Sequence, residues 1–363
     1  MNIKITLQAS IIFFVLLVDS FASDTSSSPI PSEASLNFTQ MLQPVPEHAV
    51  FKEPGYNVWC GTVAKGDDGQ YHLFYSRWKV ELGHKAWVTH SEVAHAIGAS
   101  PFGPFKFSSV IIPPRGKLYW DGDCTHNPTV IRSKGKYYLY YMGNYGDGTY
   151  WVNRNNQRIG VAVADKPEGP WTRFDKPLID ISADAESPDA KCVANPSVVE
   201  RPEGGFLMVY KSVAAKGNAP FFGPVHHLVA TSDFPTGPFI KNPNPVFIMK
   251  ETTFAAEDPF IWYQEGYYRA IVKDMKGVFT NQGTSLAHFE SKDGVEWFLS
   301  HHTLVSKLNI TWETGKSQAV SALERPQIYL ENGKLVALLC AVAETVKRDN
   351  SYNIQIPLKL TRL

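Results

Sequence analysis

Short apolar runs that alternate with polar turns fill the chain from about residue 57 onward, and the order of these runs repeats. Each unit opens with an apolar strand and passes through a glycine turn. An aromatic strand follows, at residues 71–75, 136–141, 206–210, 267–271 and 334–338. A third strand comes next in four units, at 91–96, 159–164, 227–231 and 286–290. A Pro-x-Gly-Pro-aromatic turn closes three of them, at 101–105, 167–171 and 235–239, with a degenerate version at 293–297. Strands of four to seven residues without sustained helical periodicity predict an all-β chain. Units of this length with about four strands each are propeller blades, and there are five. The last strand, at 353–356, leaves residues 43–56 free to complete the terminal blade and close the ring.

The blade-opening prolines Pro128, Pro196, Pro259 and Pro326 recur every 63–68 residues. In a propeller the first strand of each blade lines the central funnel, and the proline is expected to hold the preceding residue extended. Asn127, Asn195, Asp258 and Arg325 occupy that position, and His126, Ala194, Glu257 and Glu324 the one before it. Polar side chains at one address in successive blades converge on the funnel mouth. The richest stretch is Trp120 to Pro128, which adds Asp121 and Asp123 to His126 and Asn127. Trp59, Trp120 and Trp151 are candidate sugar platforms, and Arg77 a candidate contact for an anionic or sulfated sugar. Cys60 and Gly61 stand at the corresponding address of the first blade.

Charge narrows the function classes. Lys plus Arg and Asp plus Glu are each 35, so no net field favours nucleic acid or an acidic membrane. Aromatic content of 13% leaves rings to line a carbohydrate cleft. Residues 1–23 read as a secretory signal: Lys4, an apolar core at 11–18 too short to span a bilayer, and Ser20-Phe21-Ala22 as the cleavage site. The expectation is a secreted protein with a flexible leader at 24–40 and one catalytic propeller domain at 41–363. Asn37 and Asn309 begin glycosylation sequons. The four cysteines are too few for a disulfide scaffold; one disulfide or buried free thiols both fit.

On these residues the chain resembles the five-bladed glycoside hydrolases of families 43 and 117. Family 43 enzymes carry an aspartate base before a proline, a second aspartate before a proline two blades later that tunes the acid, and a glutamate acid one blade further on. The resemblance implies that Asp258 tunes and Glu324 is the acid. The base address falls on Asn127, so Asp121, Asp123 or His126 must supply the base. A glycosidase built this way inverts configuration with carboxyl groups about 6.5–9.5 Å apart and acts on chain ends. It needs no organic cofactor; a cation such as calcium on the funnel axis, as in some relatives, stays open. A carbohydrate-binding propeller without a base is the alternative. The expected partner is a carbohydrate, with no nucleic acid or membrane involved and the oligomeric state unassigned.

Overall fold

A computed structural model describes residues 30–359. The signal sequence expected at 1–23 lies outside the described residues. Five four-stranded antiparallel sheets form the blades of a propeller. Their inner strands are Tyr56–Lys65, Cys124–Ser133, Cys192–Glu200, Ala256–Gln264 and Ala322–Glu331. Blades 1 to 4 are built in chain order from inside to outside. In blade 5 the outer strand comes from the N-terminal side: Val50–Phe51 pairs with Tyr352–Pro357, Val50 opposite Ile354. The ring is thereby closed as expected.

The core lies between blades, where aromatic and branched residues of one sheet pack on the next. One cluster joins Trp262 and Ile271 of blade 4 to Leu338 and Ile354 of blade 5. All four cysteines are buried free thiols.

The leader expected at 24–40 is ordered where it is described. Phe38 is fully buried and meets Trp262 edge-on at 6.2 Å. The Ser35 hydroxyl donates to both carboxylate oxygens of Glu290, and Arg269 donates to the Ala34 carbonyl at 2.7 Å. A low-complexity composition hid these few anchoring side chains.

The inner strands also start earlier than the prolines suggested, so each polar address sits in mid-strand. Pairing shifts there in every blade: between Trp59 and Thr62, His126 and Thr129, Ala194 and Ser197, Glu257 and Phe260, and Glu324 and Gln327. Two residues of the inner strand oppose one of its neighbour, which is a β-bulge. The residue before each proline is therefore not extended. Asn127, Asn195, Asp258 and Arg325 have φ of 54°, 52°, 55° and 54°, and Cys60 has 55°. Proline disfavours the right-handed helical region for its predecessor, and the bulge selects the left-handed one. Asn and Asp adopt that region most readily among residues with side chains; Arg and Cys there are rarer and mark a constrained site.

Candidate active site

The five bulges aim their first side chains at the axis, where they form a hydrogen-bonded chain across the blades. The Cys60 thiol donates to Asn127 Oδ1 at 2.5 Å, and Asn127 Nδ2 to Asn195 Oδ1 at 2.5 Å. Asn195 Nδ2 donates to Asp258 Oδ1 at 2.9 Å, which Arg325 Nη1 reaches from the other side at 3.5 Å. Across the axis, Gln327 Nε2 of blade 5 donates to the Pro128 carbonyl and Thr129 Oγ1 of blade 2. Asp68, His72 and Glu168 have cation-ligand spacing but do not line the funnel.

Above the ring lies a pocket of about 190 Å³ walled by Trp59, Trp78, Trp87 and Tyr150, with His126, Glu257, Asp258 and Glu324 among its polar lining. Arg325, Asn127 and Asn195 belong to the same lining. The tandem polar pairs at the bulges thus converge as the sequence suggested.

Two lysines that the sequence reading passed over organise these carboxylates. Each lies in a second strand: Lys211 opposite Ala194, and Lys273 opposite Glu257. Lys211 Nζ bonds Glu257 of the next blade at 2.9 Å; Lys273 bonds Glu324 of the next blade at 2.7 Å and stands 3.7 Å from Glu257. Arg348, from the loop between the last two strands, grips both Glu324 oxygens at 2.7 and 3.1 Å. The signal for the lysines was their matching place in two second strands, six and seven residues after the glycine turn.

Glu257 and Asp258 are shifted in opposite directions. Burial would raise Glu257, but Lys211 and Lys273 outweigh it and hold that carboxyl well below the ordinary range. Asp258 is pushed up to about 6 by burial and by the Glu257 charge, against Arg325. His126 accepts or donates a 2.7 Å bond with Ser91 and stacks on Trp87; burial, then Arg325 and His84, keep it neutral. The pocket thus holds a carboxyl raised toward neutral pH beside one held low.

This makes a stability prediction. Between pH of about 4 and 6 native Asp258 keeps a proton that the unfolded chain has released, so its contribution is full below that window and is lost as pH rises through it. Asp258→Asn does not titrate and can keep the Asn195 bond. Relative to the variant, the wild type should lose on the order of 2–3 kcal/mol between acidic and neutral pH. Urea denaturation of both proteins across that range checks it; parallel pH dependences would contradict it.

Four predicted site residues lie elsewhere. Asp121 is fully buried and saturated by Arg115 at 2.7 Å, Tyr141 at 2.8 Å and Arg173 at 3.3 Å. Asp123 accepts from the Gly146 amide and Asn153 Nδ2, fastening the loop of blade 2. Trp120 stacks on Tyr141 at 5.6 Å, over Gly143 and Gly160, where a Cβ would meet its ring at 2.7 and 2.5 Å. Arg77 pairs with Glu53 and Glu92 and stacks on Tyr56 and Phe107. None of the four lines the pocket. Charge density in sequence attracted the reading; the strand turns these groups into the blade.

No family model matches the chain. A beta-xylosidase of Xylanibacter ruminicola is 25% identical over 251 residues, covering 55% of this chain and 70% of that protein. A family 117 glycoside hydrolase of the marine bacterium Zobellia galactanivorans superposes with a TM-score of 0.62 at 18% identity, over 86% of this chain and 89% of its own. A family 43 beta-xylosidase/alpha-arabinofuranosidase from a compost metagenome, solved with xylotriose in a calcium-free form, gives 0.57 at 13% identity, over 88% and 94%. The chain shares the five-bladed propeller fold of the glycoside hydrolases of families 43 and 117, which it resembles over most of its described length.

Proposed function

We propose that the protein is a glycoside hydrolase whose reaction centre is the Glu257–Asp258–Glu324 pocket. One observation carries the reading: Asp258, whose carboxyl is pushed up to about 6 by burial and the Glu257 charge, shares an aromatic-walled pocket on the propeller axis with Glu257, whose carboxyl Lys211 and Lys273 hold down. Hydrolysis of a glycosidic bond needs such a pair, a proton for the leaving oxygen and a carboxylate for the attacking water. Asp258 is assigned the donor role and Glu257 the water-activating role. Glu324, fixed by Lys273 and Arg348, is assigned to substrate positioning. The family resemblance implies the acid at Glu324 with Asp258 as its tuner; the two cations that grip Glu324 favour the exchange. The likeness to the beta-xylosidase supports the reaction class. The ring of bulge residues floors the pocket, which supports action on chain ends; inversion and secretion complete the proposal.

Asn127 and Cys60 at the axis, and the cationic partners of both glutamates, favour a second reading, carbohydrate binding without cleavage. Purified protein incubated with aryl glycosides and with plant and algal oligosaccharides separates the two. Reducing-sugar release is expected; retention of oligosaccharides without release would favour the binding module.

A further inference from the structure

An unbroken chain of ring contacts leads from the pocket to open solvent. His126 stacks on Trp87 at 5.0 Å, Trp87 meets Tyr150 at 6.2 Å, and Tyr150 meets Trp151 at 5.1 Å. Trp151 then meets Phe221 at 6.0 Å, across from blade 2 to blade 3. The inner members wall the pocket, whereas Trp151 is 36% and Phe221 42% exposed.

The exposed pair is held in place by buried polar groups. Arg154, only 6% exposed, donates to the Phe221 carbonyl at 3.0 Å and to Asn155 Oδ1 at 2.8 Å, and its guanidinium lies 4.9 Å from the Phe221 ring. Asn155 Nδ2 donates to the Pro220 carbonyl at 2.9 Å. Two elements from different blades are thus fastened so that two large rings stay in water. Fixed rings offer contact area at little entropic cost on binding.

We propose that Trp151 and Phe221 form a stacking platform for the sugar unit next to the one in the pocket, so that the substrate is an oligosaccharide chain and not a simple glycoside. The inference rests on the carbohydrate reading of the pocket. It commits to a sugar because the ridge continues the pocket wall, and the flat, apolar face of a pyranose matches a ring while its hydroxyls stay solvated.

The test uses calorimetric titration in the cold of wild type, Trp151→Ala and Phe221→Ala. The probes are xylose, arabinose and galactose and their linear trisaccharides, with light scattering on each protein. The wild type should bind one trisaccharide more tightly than its monosaccharide. Each variant should lose roughly 5- to 10-fold in trisaccharide affinity, with monosaccharide affinity unchanged. Unchanged trisaccharide binding, or equal losses on both ligands, overturns the platform. A change of oligomeric state in the variants assigns the ridge to contact between copies and likewise overturns it. A wild type that binds none of these sugars overturns the carbohydrate occupant outright. Trisaccharide binding without any reducing-sugar release sinks the hydrolase reading and leaves the platform standing.

Discussion

Asp258→Asn is expected to slow hydrolysis of substrates with poor leaving groups by roughly 10²–10⁴-fold, the usual worth of a positioned general acid. Activated aryl glycosides should suffer far less, because their leaving group departs without a proton. The amide keeps the volume and can accept from Asn195, which donates to Asp258 at 2.9 Å, so sugar binding should survive. The same substitution removes a carboxyl that burial and Glu257 push up to about 6, so lost activity should accompany gained stability at neutral pH. A general structural defect cannot produce that pairing. Rates on one oligosaccharide and one aryl glycoside, for Asp258→Asn and Glu324→Gln in parallel, decide the roles. Leaving-group dependence in Glu324→Gln alone would return the acid to Glu324, the residue that the family resemblance first indicated.

Arg269→Met should be the most destabilising single change outside the pocket. Arg269 and Glu290 are both fully buried and paired at 2.6 Å, and they anchor the N-terminal segment through Ala34 and Ser35. Removing the arginine takes a 2.6 Å ion pair away from a fully buried carboxylate, which costs about 3–5 kcal/mol. The double variant Arg269→Met, Glu290→Leu should recover a large part of that loss, since the desolvated charge goes with its partner. Chemical denaturation of the two single variants and the double variant measures the coupling. A loss below about 1 kcal/mol in Arg269→Met would mean that water reaches this pair and screens it.

The architecture was legible because its cause is periodic. Glycine turns, aromatic strands and closing turns recur at a fixed interval, and only a blade repeat explains all three. The convergence of Asn127, Asn195, Asp258 and Arg325 followed from the same interval. The left-handed conformation of these residues was not legible, since proline alone argued for extended backbone and the bulge is a property of strand pairing. Asp121 and Asp123 misled because adjacency in sequence says nothing about which way a strand entry turns a side chain; Arg115 and Asn153 claim them instead. Lys211 and Lys273 escaped notice for the opposite reason. Each sits in a second strand, apart from the blade-opening motifs, and its meaning arises only when the next blade brings a glutamate within reach.

Asp258 is the proposed proton donor for glycosidic bond cleavage in this pocket. Proton NMR of the purified wild type with oligosaccharides tests it most directly, followed in time beside Asp258→Asn. New reducing-end anomeric signals are expected in the wild type, with the first-formed anomer opposite to the linkage cleaved, and their near-absence in Asp258→Asn. Oligosaccharide that binds both proteins and remains intact would contradict that role.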